Sequence, residues 1–541
     1  MKPASRRPKL PLQLNALDRA IGFFSPQRAV LRGAARYVLS AASGFAAARR
    51  DRNATRGWEA RAGASADYDT LPDLDLLRAR SRDLVRNDPL AQSAVATKVA
   101  SVIGAGHVLR PEVDARRLGL TPDEAEAWET EALDIWTDWA WSADCDVTRT
   151  QTFAELEDLV YRSRLLSGDV FVVRRFKPRK GRLLATAVQV IEADRLSNPH
   201  WVADSATLAG GVEMDADGAP VAYHFADRHV LDRHLSGAVT WTRVPAFDPA
   251  GRRLVLHIHG ARWRPDMTRY APMLAPVIEA LKQRSRYSEA ELMAAVISAC
   301  FAIGMKSDEG DLSEALAKVA TGGQAQAPKG EIRLDEPGMV FDLMPGEEVM
   351  NFQPGRPNPQ FGPFVDAISR EVGAGTDLPQ EMLVKQFQAS YSASRAALEM
   401  AWLFLRADRE LHVTQFCAPI YEDVITEAVA RGLLKAPGLL TDPLRRQAWL
   451  GGVWMGPARP TLDPVKDATA DQMYLDMGVT SLTRVAAERF GVDYRTVRAR
   501  RALDGTDDRE AAARRAAAPA APAVTPDDDT DSDDEEKPDA G

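Results

Sequence analysis

Two histidines stand one residue apart in His257-Ile-His259, at the end of the apolar run Arg253-Leu-Val-Leu-His-Ile-His259. Alternation along a strand puts both imidazoles on one face, as the start of a metal site. No third ligand stands at a suitable spacing, and an ordinary strand end accounts for the pair more simply. Asp144-Cys-Asp146 offers two carboxylates of the kind used in acid–base work. No histidine or basic partner is identifiable for them, which leaves a solvated turn. Ser392 and Ser394 lack the Gly-x-Ser-x-Gly elbow of a nucleophile. No Gly-x-x-x-x-Gly-Lys-Ser/Thr occurs, so the chain is not expected to be a P-loop ATPase. Gly104-Ala-Gly106 opens like a dinucleotide fingerprint, but Leu109 occupies the third glycine position and a helical pattern precedes it. The strongest rival signal is Arg484–Arg500, where Val-Ala-Ala-Glu-Arg-Phe-Gly-Val-Asp-Tyr-Arg-Thr-Val-Arg has the form of a helix-turn-helix. Taken alone it suggests a DNA-binding regulator.

The elements around these residues are set by periodicity. Asp73–Asn87 is amphipathic with an arginine-rich face, and Asp88-Pro89 starts a second helix running to Val102. Glu124–Trp141 carries Trp128, Leu133, Trp136 and Trp139 near one side, and Phe153–Leu166 is a further helix. After Gly168-Asp169 the period changes. Val170–Val173, Ala187–Ile191 and Arg253–His259 are strands, and Gly211–Gly218 into Pro220–Phe225 is a hairpin. A long helical run covers Pro272–Phe301, and short β-like runs cover Glu331–Leu334 and Met339–Met344. Phe361–Val372 is helical and is expected to end at Gly373-Ala-Gly375. A polar segment, Lys385–Ser394, leads into a long helix from Arg395 to Ala430, with a kink expected at Pro419 and a stop at Gly432. Two short helices flank Gly491.

Composition excludes several classes. The 541 residues exceed one small core, so two or more domains are expected; 45% hydrophobic and 27% charged residues are ordinary globular values. A net charge of −9 argues against a chain that coats nucleic acid over its whole surface. Cys145, Cys300 and Cys417 are far apart, show no metal spacing, and suit a reducing cytoplasm. No run of about 18 apolar residues is present. Residues 1–56 form a basic arm with only Asp18 and Asp51 as acids. From Asp504 the chain is Ala/Pro-rich and then acidic, and is expected to be disordered.

Leu77-Arg-Ala-Arg-Ser-Arg-Asp-Leu-Val-Arg-Asn-Asp-Pro89, followed by a helix and Ile103-Gly-Ala-Gly106, resembles the N-terminal signature of the lambda-like family of phage portal proteins. Its marks here are Arg80, Arg82, Leu84, Arg86, Asn87, Pro89, Gly104 and Gly106. Gln388-Ala-Ser-Tyr-Ser-Ala-Ser-Arg395, flanked by two helices, is similar to the family's tunnel loop. The resemblance covers roughly residues 15 to 503. It implies an α+β portal fold: a basic arm at 1–56, an α+β wing at 57–269, a first stem helix at 270–301 and a β-containing clip at 302–359. A second stem helix at 360–377, the tunnel loop at 378–394 and a long kinked helix at 395–432 come next. A helical C-terminal, crown-like region at 433–503 and an acidic tail at 504–541 complete the chain. It further implies a twelve-subunit ring at one capsid vertex that passes double-stranded DNA during packaging and ejection. The implied partners are the terminase motor, capsid and scaffold proteins, and head-completion proteins. The implied location is the virion, after assembly in the host cytoplasm. No catalysis, cofactor, metal or membrane is implied. The resemblance assigns Lys385, Gln388, Ser390, Tyr391, Ser392, Ser394 and Arg395 to the DNA channel, and in such proteins a Gly-centred helix pair like Arg484–Arg500 is structural.

Overall fold

The computed structural model describes residues 63–503, apart from 230–231, 233–237, 301–303, 308–346, 351–357, 388–389 and 462, together with Phe23 and Ser25. The basic arm, most of 302–359 with its β-like runs, Gln388 and the acidic tail lie outside the described residues. The chain divides into two units, residues 1–69 and 70–541. All the described strands lie in the second unit.

Capping residues fix where the first helices begin. α1 (Ala66–Asn87) ends just before Asp88, whose carboxylate accepts from Leu90 N and Ala91 N and so starts α2 (Pro89–Val102). Strand β1 (Val108–Pro111) follows. α3 (Pro122–Ala140) opens on a Thr121/Glu124 capping box and α4 (Phe153–Ser167) on a Thr152/Glu155 one, each satisfying N–H groups that a helix start leaves free. α4 stops at Gly168, φ +89, where any Cβ would overlap the Tyr270 carbonyl.

Strand β2 (Asp169–Phe176) is buried on both faces from Asp169 to Val173 and emerges at Arg175 and Phe176. It lies between β3 (Thr186–Ile191) and β8 (Val255–His259) in an antiparallel sheet, with Phe171 opposite both Ile191 and His257. Period-two alternation sends Val170 and Val172 into one core and Phe171 and Val173 into another. The second of these cores is closed by an antiparallel sheet of β4 (Leu208–Ala209), β5 (Val212–Met214), β6 (Pro220–Ala226) and β7 (Trp241–Pro245), with a bulge at Glu213/Met214.

The helical half comes next. α5 (Ile278–Cys300) precedes a strand pair, β9 (Gly304–Ser307) with β10 (Glu347–Met350). Then come α6 (Phe361–Thr376), α7 (Gln380–Val384), α8 (Tyr391–His412) and α9 (Ala418–Ala430). Strand β11 (Gly452–Met455) returns to pair with β1, Val108 opposite Met455 and Pro111 opposite Gly452. α10 (Pro464–Asp476) and α11 (Tyr494–Leu503) end the described chain, with the short helical turns of 482–490 and Gly491 between them. A core gathers Trp128, Trp136 and Trp139 of α3 with Phe153 and Val160 of α4 and Phe416, Ile420 and Val424 of the long helix. Another gathers Ala94 and Val99 of α2, Leu281 of α5, Val372 of α6, Leu383 of α7 and Leu405 of α8.

Three expectations need correction. Gly373 and Gly375 do not end α6, which runs through both to Thr376 and stops at Asp377, φ +56. They are there for close approach: a Cβ on Gly375 would overlap Val277, and one on Gly373 would lie 2.5 Å from Leu378 O. The long helix starts at Tyr391 rather than Arg395, because Ser390 caps it by accepting from Ala393 N at 3.4 Å. The disturbance expected at Pro419 lies in a π turn, Val413–Cys417, directly before it. Pro419 then falls in the first turn of α9, where its missing N–H does least harm. The stop holds at Gly432, φ +75, beyond the end of α9 at Ala430.

Candidate functional site

α6 and α8 flank the connection that carries the polar segment, and α7 lies just before that segment begins at Lys385. Asp377 and Lys385, on either side of α7, both adopt left-handed backbone (φ +56 and +57), which reverses the chain twice in nine residues. Lys385, Gln386 and Phe387 are exposed, as are Ser390, Tyr391 and Ser392. Ser390 Oγ and Ser392 Oγ are 3.3 Å apart on the first turn of α8. Ser394 faces inward and is buried. Arg395 is tethered: it donates to Tyr391 Oη at 3.3 Å, Glu399 Oε1 at 3.3 Å and Asp467 Oδ1 at 3.1 Å. Lys385, Ser390, Tyr391 and Ser392 therefore share one exposed stretch, while Ser394 and Arg395 belong to the packing of α8. A hydroxyl-rich surface with a single cation, Lys385, meets phosphates mainly through weak, exchangeable hydrogen bonds and releases few counterions.

The profile of "Phage portal protein, lambda family" matches residues 51–409, which includes this whole segment. The chain belongs to that family. Portal protein B of Escherichia phage lambda is 26% identical over 469 residues, spanning 83% of this chain and 86% of its own. The portal protein of Escherichia phage N15 is 24% identical over 476 residues, spanning 84% and 88%. Among solved structures, a chain from the virion of a native gene transfer agent particle aligns at a TM-score of 0.40 with 15% identity, covering 76% of this chain and 92% of that one. A chain from the neck of the native particle, computed with C12 symmetry, aligns at 0.39 with 15% identity, covering 77% and 98%.

In this portal protein some of the signature residues pack where elements meet and others lie on the surface. Arg82 reaches Ser167 Oγ at 2.8 Å, Glu192 at 3.1 Å and Asp194. Leu84 is buried, Asn87 donates to Asp83 at 2.8 Å, and Pro89 fills the first turn of α2. Arg86 lies 3.9 Å from Asp83, and Arg80 is exposed. Gly104 and Gly106 make a turn with φ +61 and +100, where a Cβ would lie 2.6 Å from Pro457 and from Ala154 respectively. They allow close approach of backbone to neighbours and cradle no phosphate.

Asp169, a carboxylate held by two arginines, is marked by no motif. It is fully buried at the start of β2 and takes Arg78 at 2.8 Å on one oxygen and Arg269 Nε at 2.7 Å on the other. Arg269 also donates from Nη2 to the first oxygen at 3.2 Å and spends its other donors on the carbonyls of Ala193, Leu196 and Gly210, while Arg78 Nε donates to that of Ser167. Burial alone would raise the Asp169 carboxyl, but Arg269 and Arg78 outweigh it and hold it far below the usual carboxylate range. His257 stands 3.2 Å from Asp169, and His259 stacks on Tyr270 with ring centroids 3.9 Å apart. The carboxylate beside this histidine pair is already occupied by two guanidinium groups, so the pair belongs to the packing of the hub and not to a metal site. Asp144-Cys-Asp146 is not the solvated, partnerless turn expected: Asp144 is engaged by Arg149, Arg179 and Arg182, and Asp146 is buried and accepts from Thr148 N and Thr150 N.

Arg484–Arg500 folds as the expected helix pair about Gly491, φ +64. Four of its arginines are committed to acids of the same chain: Arg489 to Asp471 at 2.8 Å, Arg498 to Glu126 at 3.5 Å, Arg484 to Glu488 at 3.0 Å, and Arg495 to Glu129. Reading DNA with this face would break those pairs, which disfavours the regulator.

Burial, and then the neighbouring His257, push the His259 imidazole down to about 4. His257 and His412 are lowered too, by burial first. A histidine held neutral when folded contributes stability that is complete above its unfolded value, near pH 6.5, and is lost as pH falls towards the folded one. Asp169 titrates below this window. The unfolding temperature is therefore expected to drop between pH 7 and 4.5, and His259→Gln to flatten part of that drop. An identical pH profile for wild type and variant counts against the assignment.

Proposed function

We propose that the chain assembles into a closed ring at one capsid vertex, through which double-stranded DNA is packaged and later ejected. The carrying observation is its collinear similarity to the lambda and N15 portal proteins over more than four-fifths of its length. In this reading residues 57–269 are the wing, 270–301 and 360–377 the stem helices, 302–359 the clip and 433–503 the crown-like region. The exposed residues Lys385, Ser390, Tyr391 and Ser392 lie on the channel wall. The ring docks the terminase motor, capsid and scaffold proteins and head-completion proteins, and catalyses no reaction. Exposed apolar side chains support a repeated contact: Leu292 and Met293 of α5, Phe364 of α6, and Met400, Leu403 and Phe404 of α8. A neighbouring copy in a closed ring, bound head to tail, would cover them.

The test is Gln386→Lys with Ser392→Lys, a pair that leaves the Ser390 cap in place. Each subunit gains two positive charges, multiplied around the ring. Ring formation, read by negative-stain microscopy, is expected to be normal. DNA protected from nuclease is expected to fall several-fold at low salt and to recover as salt rises, because exposed charges are screened over about 10 Å at 0.1 M. Normal packaging at low salt removes this stretch from the channel wall, and absence of any ring removes the reading itself.

A further inference from the structure

Where the Gly104–Gly106 turn meets α4 and the π turn, four buried side chains converge. Glu157 Oε2 accepts from His107 N at 2.9 Å and lies 2.8 Å from His107 Nδ1. Glu157 Oε1 is 3.7 Å from Cys417 Sγ. One donor atom each from His107, Glu157 and Cys417 lies within 4.8 Å of the other two. His412 closes the group, its ring stacked over His107 with centroids 6.0 Å apart. His412 is wholly buried, and among the described residues neither of its nitrogens has a hydrogen-bond partner; His107 Nε2 has none either. The other rings against His412 are Tyr161 and Phe416, which offer its nitrogens nothing in hydrogen-bond reach. Orphaned imidazole nitrogens in a dry interior cost free energy, and native proteins keep them only where something else takes them up.

The backbone is built for this convergence. In an α-helix, residues five apart are turned by about 140° from one another. Here Ala418 N bonds to Val413 O, five residues back, and the wider π turn puts His412 and Cys417 on one side. Gly106, at φ +100 and hard against Ala154, lets the chain come close enough for His107 to reach Glu157.

The geometry points to a buried site for one divalent transition-metal ion of the zinc type, held by Cys417, Glu157, His107 and His412. Thiolate, imidazole and carboxylate together are a zinc donor set, and four protein ligands with no open position make a structural centre, not a catalytic one. With bonds of about 2.0–2.3 Å, tetrahedral ligand atoms sit roughly 3.5 Å apart, so His107, Glu157 and Cys417 would close by about an ångström on binding, and His412, whose ring centroid is 6.0 Å from that of His107, would turn towards the ion. Cys417 binds as thiolate and its proton leaves to solvent. Because the thiol must give up its proton to bind the ion, occupancy falls as pH falls. The ion would pin the turn after α2 to α4 and to the junction of α8 with α9.

The test uses the full chain, without a histidine tag, expressed with added zinc and purified without chelator. Mass spectrometry should find about one zinc per chain, and cobalt loading should give a thiolate-to-cobalt charge-transfer band. Cys417→Ala and His412→Gln should lower zinc to background, while His257→Gln should not. Cys145→Ala with Cys300→Ala should keep the cobalt band, which assigns it to Cys417 even if the Cys417 variant fails to fold. Less than about a tenth of an equivalent of zinc in wild type, with no cobalt band, overturns the site. So does zinc that survives Cys417→Ala.

Discussion

Asp169→Ala is expected to lower stability by about 3–5 kcal/mol, enough to leave most of the chain insoluble. The loss does not come from the ion pair as such, since a buried pair gains little over well-packed apolar groups. It comes from what remains. Arg78 and Arg269 are both about 2% exposed, and without the carboxylate they face each other in a dry interior. Arg78 is already pushed down to about 10, by burial first and by Arg269 second, with Asp169 opposing. Asp144→Ala is the control: it also removes a carboxylate from arginines, but two of those, Arg149 and Arg182, are more than half exposed. Its cost should be at most about 1 kcal/mol. Urea unfolding followed by far-UV circular dichroism separates the two. Equal midpoints for Asp169→Ala and Asp144→Ala would mean that Arg78 and Arg269 find water.

The second large effect is expected at Trp136→Ala, again about 3–5 kcal/mol. The indole is 5% exposed and meets four rings: Phe153 at 4.9 Å, Trp139 at 5.1 Å, Trp454 at 5.6 Å and Tyr421 at 5.7 Å between centroids. Those rings come from α3, α4, α9 and β11, so the cavity would open at a junction where no single element can move in to fill it. Edge-on pairs add roughly 0.5–1.5 kcal/mol beyond area. Trp136→Phe keeps part of the volume and should lose less. A Trp136→Ala protein with an unchanged urea midpoint would sink the claim.

The elements were legible because their periods are strong. The tryptophan face of α3, the alternation of β2 and the helix pair about Gly491 can all be read from spacing alone. Local rules failed where a residue serves a distant neighbour. Gly373 and Gly375 look like a helix end, yet they exist because Leu378 and Val277 come close. Ser390 has the look of a loop residue and is a cap, which starts α8 four residues earlier. The helix pair looks free to bind DNA because Glu126 and Glu129, which engage Arg498 and Arg495, lie more than 360 residues away in sequence. The group of His107, Glu157, His412 and Cys417 has no spacing signal at all, since its members sit on three separate elements. Asp169, with one arginine 91 residues before it and another 100 residues after, is invisible for the same reason.

The pairing of β1 with β11 bears on how the chain is made. Arg110 lies opposite Val453, so the first strand waits for a partner synthesised about 340 residues later. At the usual ~5–20 residues per second, that wait is roughly twenty seconds to a minute. Over the same interval Trp128 and Trp136 have no Trp449 or Trp454 to close over them. The nascent chain therefore leaves the ribosome with an open aromatic face that only its own C-terminal third can cover. A chain cut short before Met455 lacks part of the strand that pairs with β1, and one cut before Trp454 lacks a ring that covers Trp136, so neither can complete this core.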